Sequence, residues 1–213
     1  GYPAGIVRAR DGTVFVTTGG EAHRILTVSP DGTTTTLAGS AEDGFVEGHG
    51  EAGRFHTPCD IAEGPDGQLY VADGGYCKIR RFDREGNVST VAGRPWRAGE
   101  TPESIDGEVG VARFNGPRAI AIASDSTIYV GEGQGRRVRQ IREGVVSTLC
   151  QCEGMVAGIL LDEPSGHLYL AAGNRILTVV VSSRVQILQE KYAPILRVWS
   201  LMQRRQERAL LVP

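Results

Sequence analysis

Pro65-Asp66-Gly67-Gln68-Leu69-Tyr70-Val71-Ala72-Asp73, continued by Lys78-Ile79-Arg80-Arg81-Phe82, decides the fold. The Asp-Gly pair supplies the positive φ that a tight hairpin loop needs. Leu69 to Ala72 is an apolar and aromatic run suited to a strand, and Lys78 to Phe82 alternates basic with apolar residues. The unit recurs as Asp11-Gly12-Thr13-Val14-Phe15-Val16 before it. Asp125-Ser126-Thr127-Ile128-Tyr129-Val130 and Ser165-Gly166-His167-Leu168-Tyr169-Leu170 follow it. Phe15, Tyr70, Tyr129 and Tyr169 stand 55, 59 and 40 positions apart. A repeat of this length made of short strands predicts a solenoid or a propeller.

Working outward, four units emerge, at about 4–39, 59–93, 118–149 and 157–188, each with four strands in chain order. First strands such as Asp60-Ile61-Ala62 and Ala119-Ile120-Ala121-Ile122 are short and rich in small residues, as crowding at a central axis requires. Glycine-rich loops precede the second and third units, at 40–58 and 105–117. Arg54-Phe55 and Arg113-Phe114 lie in register within them, 59 residues apart, so the loops belong to the repeat. Beyond residue 190 the period changes. Ile195, Val198, Trp199 and Met202 form one helical stripe, which predicts a helix over Ile195–Leu210. The chain thus divides into strand repeats over 1–190 and a helical tail over 191–213. Starting inside a repeat and stopping after a helix, it reads as part of a longer polypeptide.

The chain has 213 residues, 29 of them glycine, which fits many tight turns. Its ordinary hydrophobic fraction predicts a soluble globular protein. A net charge of −2 gives no general pull toward phosphate backbones, so nucleic acid is disfavoured as a partner. The apolar run at 176–181 is far too short to cross a bilayer, and no membrane partner is expected. Cys59, Cys77, Cys150 and Cys152 form no C-x-x-C pair. The last two, with one residue between them, are expected on opposite faces of a strand. All four read as buried or idle thiols, compatible with an intracellular, reducing setting. His23, His49, His56 and His167 are scattered and show no metal-ligand spacing.

The run from Pro58 to Asp73, with Lys78 to Phe82 and Val88-Ser89-Thr90-Val91-Ala92-Gly93, resembles an NHL repeat over about residues 4–188. The loop Gly44-Phe45-Val46-Glu47-Gly48-His49-Gly50-Glu51-Ala52-Gly53-Arg54-Phe55 resembles the long-loop variety of that repeat. The resemblance implies an all-β propeller, or a propeller segment, of four-stranded blades with a C-terminal α-helix appended. NHL propellers usually have six blades, where four are visible here. The resemblance also points to lyases, lactonases and strictosidine-synthase-like enzymes, which place metal or catalytic groups around an axial channel. The channel candidates are His56, Asp60, Asp73, Asn115, Arg118, Glu132, Asp162 and Asn174. A calcium site or a carboxylate pair would need several of them to converge. No Gly-x-Ser-x-Gly, Walker or His-Glu-x-x-His pattern is present.

Regular repeats without a convergent catalytic set favour a non-catalytic scaffold that binds protein, or further blades of the same polypeptide. The loop-face candidates are Phe45, Arg54, Phe55, His56, Arg113, Phe114 and Asn115, and the helix candidates are Trp199, Met202 and Arg205. The competing structural reading of the Arg-Phe pairs has Phe plugging between blades while Arg bonds blade backbone or a carboxylate such as Glu51. Asp73 likewise reads as a turn-bonding aspartate. No cofactor is expected, although the enzyme reading would bring a divalent metal. A third reading has RNA on a basic edge made by Lys78-Ile79-Arg80-Arg81 and Arg136-Arg137-Val138-Arg139.

Overall fold

The computed structural model describes residues 1–96, 100, 102–181 and 186–187. The helix expected over Ile195–Leu210, with Trp199, Met202 and Arg205, lies outside the described residues. Within them the chain is all-β, in four separate antiparallel sheets set as propeller blades. Blade one is β1 (Tyr2–Arg8), β2 (Val14–Gly19), β3 (Arg24–Val28) and β4 (Thr34–Gly39). The following loop contributes β5 (Gly48–His49) and one 3-10 turn, Gly50–Ala52. Blade two is β6 (Pro58–Glu63), β7 (Leu69–Asp73), β8 (Lys78–Phe82) and β9 (Asn87–Ala92). A second loop gives β10 (Gly107–Glu108). Blade three is β11 (Pro117–Ile122), β12 (Ile128–Glu132), β13 (Arg137–Arg142) and β14 (Val145–Gln151). Blade four is β15 (Val156–Asp162), β16 (His167–Ala172), β17 (Arg175–Val180) and β18 (Gln186–Ile187).

In blades one to three the hairpin between the first two strands is set by one repeated turn. In blade two Gly67 N–H donates to the Gly64 carbonyl and Gly64 N–H to the Gln68 carbonyl, with Gly67 at φ +75°. The Asp66 carboxylate accepts from Gln68 N–H at 3.1 Å, an Asx bond that fixes the turn. Asp11 and Asp125 accept in the same way from the backbone two residues on in blades one and three, and Asp31 does so in the β3–β4 turn of blade one. Blade three has Ser126 at φ +68° in place of glycine.

The innermost strands pack side by side around the axis: β1 on β6, β6 on β11, and β11 on β15. Between blades lie three apolar clusters. Phe55 joins Ile25 and Ala38 of blade one to Ile61, Val71 and Phe82 of blade two. Phe114 joins Ile79 and Ala92 of blade two to Ile120, Val130 and Ile141 of blade three. Blades three and four meet through Val138, Cys150, Cys152, Val156 and Leu170. Each Phe plug depends on a glycine at the end of the preceding blade. Gly39 (φ +89°) and Gly93 (φ +103°) leave room for Phe55 and Phe114, and a Cβ on either would press into backbone.

Three expectations change. The loops do more than connect, because β5 pairs with β9 and β10 with β14, so blades two and three have five strands. Cys150 and Cys152 lie in the same core cluster. Side chains two apart on a strand share a face, so the expectation of opposite faces was wrong. The basic edge is half withdrawn: Arg80 and Arg139 are fully buried and Lys78 nearly so, while Arg136 is exposed and Arg81 and Arg137 are partly so. Among the described residues, no helix is long and apolar enough to cross a membrane.

Candidate functional site

Two matching pins hold the long loops against their blades. In blade two the fully buried Arg80 donates to the carbonyls of Arg54 and Val46, both at 3.1 Å. Its guanidinium lies over the Phe55 ring, and Asp73 beside it accepts from His56 N–H at 2.7 Å. In blade three Arg139 donates to the carbonyls of Arg113 (2.9 Å) and Ile105 (3.0 Å) and lies over Phe114. Glu132 there accepts from Asn115 N–H at 3.1 Å. A guanidinium suits this task because its planar fork serves two carbonyls and a carboxylate together.

The pins differ in two ways: Glu132 is one methylene longer than Asp73, and Arg139 also bonds Asp106 of its loop at 2.5 Å. Glu132 reaches Arg139 at 2.8 Å, and its second oxygen accepts from Ser104 Oγ at 2.5 Å. The shorter Asp73 stops 3.8 Å from Arg80, and its Oδ2 has no hydrogen-bond partner. Burial therefore dominates Asp73 and pushes its pKa up to about 7, against the opposing pull of His56 N–H and Arg80. Asp60, on the innermost strand of blade two, is half-buried, and desolvation of its carboxyl pushes its pKa up to about 6. Its carboxylate accepts from Ile61 N–H (2.9 Å) and, across to blade three, from Ile120 N–H (3.0 Å).

Above the first pin, on the loop face between blades one and two, side chains distant in sequence converge. The His23 and His56 rings meet edge-on at 5.3 Å, His56 and Tyr76 are 4.9 Å apart, and Phe45 meets Tyr76 at 5.0 Å. Tyr76 OH donates to Asp43 Oδ2 at 3.2 Å, and that oxygen is 3.9 Å from His56 Nδ1. His23 Nδ1 accepts from Thr57 N–H at 3.0 Å, which places any proton of the neutral ring on Nε2. Burial first, then the charge of His56, lowers the His23 pKa. The Lys78 ammonium lies 5.0 Å from the centre of the Phe45 ring. A second hollow, of about 330 Å³, opens between blades two and three beside Tyr70, Arg81, Ile128, Ile141 and Arg142.

The expected site residues separate into two groups. Phe55 and Phe114 are fully buried and offer no surface to a partner. Arg54 pairs with Glu42 at 2.6 Å and Arg113 with Glu100 at 2.8 Å; no bond to Glu51 is made by either. Asn115 works through its backbone on Glu132, with Nδ2 donating to the Pro102 carbonyl. Phe45 is exposed and His56 half-exposed. Of the channel candidates, Asp73 and Glu132 are pins and Asp60 ties two blades. Arg118 is exposed at the start of β11, Asp162 accepts from Ser165 Oγ at 2.9 Å, and Asn174 is exposed in the β16–β17 turn. They are spread over three blades. Among the described residues, no three His, Cys, Asp or Glu side chains gather as metal ligands. Sequence reasoning missed His23, Asp43 and Tyr76. The only signal for them was the repeat itself, which sets the 2–3 turn of one blade beside the loop leading into the next.

No family model matches this sequence, and no curated protein matches it. Solved structures do. The virginiamycin B lyase of Staphylococcus aureus superposes with a TM-score of 0.60 at 18% identity, over 91% of this chain and 56% of that one. A catalytically inactive histidine-to-alanine form of that lyase, with Quinupristin, gives 0.60 at 16% identity over the same shares. A gluconolactonase candidate gives 0.61 at 16% identity, over 88% of this chain and 63% of that one. The shared feature is the β-propeller fold. This chain spans a little over half the length of the lyase.

Proposed function

We propose that this chain is an NHL-type propeller segment that binds another protein through its loop face. One observation carries the reading: the pinned loops hold apolar side chains outward. Phe45 and Val46 of the first loop are 44% and 50% exposed, and Ile105 and Val111 of the second are 38% and 57% exposed. The Val46 and Ile105 carbonyls are fixed from below by Arg80 and Arg139, and Val111 N–H is bonded within its own loop, so little ordering cost remains for a partner to meet. Exposed apolar groups held rigid on one face are characteristic of interaction surfaces. The tail residues Trp199, Met202 and Arg205 would extend the contact. Selection of binding peptides from a displayed random library tests this. Combined alanine substitution at Phe45, Val46, Ile105 and Val111 should weaken the selected peptides at least about tenfold. Unchanged affinity would remove the reading.

A second reading, a hydrolase or lyase working at the axial channel with a divalent metal, draws support from the fold shared with a lyase and a lactonase candidate. Elemental analysis of the purified protein addresses it, since stoichiometric calcium or zinc would favour an enzyme. Asp60 has the raised pKa that acid–base work uses, but both its oxygens already accept backbone N–H groups.

A further inference from the structure

We propose that Lys78 is a nucleophilic amine that captures a small aldehyde or ketone as a Schiff base. The sequence holds only two lysines, Lys78 and Lys191, against 21 arginines. Lys78 opens β8 and is 8% exposed. Among the described residues its ammonium has no hydrogen-bond acceptor and no carboxylate within ion-pair distance, and it lies 5.0 Å from the centre of the Phe45 ring. The surrounding charges are otherwise engaged. Arg80, two residues on along the same strand face, is bonded to the loop carbonyls. Asp73, opposite Lys78 on β7, accepts from His56 N–H, and Glu47 of the loop accepts from Thr90 N–H at 2.9 Å.

The repeat supplies an internal comparison. The matching residue of blade three is Arg137, whose Nη1 donates to the Ser104 carbonyl at 3.1 Å. At that position the longer side chain finds an acceptor. Lys78 finds none. Burial first, then the Arg80 charge, hold the Lys78 pKa below the ordinary lysine range, which enriches the free amine near neutrality. The exposed edge of Phe45, with Tyr76 and His56 beyond it, leaves an aromatic approach from the loop face.

The step balances without an oxidant or reductant. The lone pair of the unprotonated amine forms the C–N bond as the carbonyl π pair moves to oxygen. Nitrogen then gives up its two protons, oxygen takes up two and leaves as water, and an imine remains. Hydrolysis reverses it. This reaction is independent of peptide binding at the loop tips, so either reading can fail alone.

Glycolaldehyde with sodium cyanoborohydride at pH 7 tests the proposal on the intact chain. Peptide mass spectrometry reads the trapped adduct at Lys78 with Lys191 as the internal reference. Lys78 should be labelled at least about tenfold faster than Lys191, with a pH profile displaced to lower pH. Lys78→Arg, which keeps a cation over Phe45, should lose the fast label while retaining the parent circular-dichroism spectrum. Lys78 labelled no faster than Lys191, or fast labelling that survives Lys78→Arg, would overturn the proposal. Because the first comparison uses the unmodified protein, it stands even where the variant fails to fold.

Discussion

Replacing Asp73 with Asn asks whether burial or the neighbouring guanidinium governs the first pin. Asp73 is fully buried, 3.8 Å from Arg80, with one oxygen unpartnered, and its pKa is raised from 3.8 to about 7. The folded chain therefore holds this proton more tightly than the unfolded chain does. The stability it confers is complete below pH 3.8 and is lost as pH climbs toward 7. Three pH units at about 1.4 kcal/mol each set an upper bound of about 4 kcal/mol. Movement of Arg80 toward the new charge recovers part of that, which leaves about 2 kcal/mol or more. Asn keeps an oxygen to accept from His56 N–H and cannot ionise. Urea unfolding of both proteins from pH 4 to pH 8 measures the difference, and groups common to both, such as Asp60, cancel. The parent protein should lose stability relative to Asp73→Asn by at least about 2 kcal/mol across that range. A flat difference, or one that favours the parent as pH rises, would mean that Arg80 holds Asp73 as an ordinary salt bridge.

Four further outcomes follow from the geometry. Glu132→Ala removes one of the two carboxylates on buried Arg139, leaving Asp106 in place but the Asn115 N–H and one guanidinium N–H without their acceptor, and chemical denaturation at neutral pH should show a loss of about 1–3 kcal/mol. Phe114→Ala empties the space between blades two and three and should cost about 3–5 kcal/mol in the same assay. Gly39→Ala forces a Cβ to 2.3 Å from the His23 carbonyl at φ +89°, so a loss of more than about 1 kcal/mol in thermal or urea melts is expected. Thr57→Pro deletes the N–H that His23 Nδ1 accepts and imposes a negative φ where Thr57 has +57°; it should lower the melting temperature by several degrees.

The blades were legible because their turns advertise themselves. Asp11-Gly12, Asp31-Gly32 and Asp66-Gly67 form the hairpins their residue types demand, and the aromatic of each second strand keeps the register. Arg54-Phe55 and Arg113-Phe114 showed the period, and the structural reading of Phe as a plug matches Phe55 and Phe114 in the core. What Arg54 and Arg113 bond was not legible, since Glu42 and Glu100 reach them only after the loops have bent. Two-residue strands such as Gly48–His49 carry no periodicity that a sequence can display. His23 and His56 are 33 positions apart in different units, and only blade packing makes them neighbours. Cys150 and Cys152, two positions apart, share a face by strand parity alone, and the core cluster they join follows from that spacing.

The short strands β5 and β10 also bear on how the chain leaves the ribosome. Each clasp precedes, in the chain, the blade whose outermost strand it covers. When β9 or β14 emerges during synthesis, the segment destined to sheathe it is already outside the exit tunnel. The first two residues of each outer strand, part of a rim that would otherwise recruit a neighbouring nascent chain, are thus paired in cis almost as soon as they form.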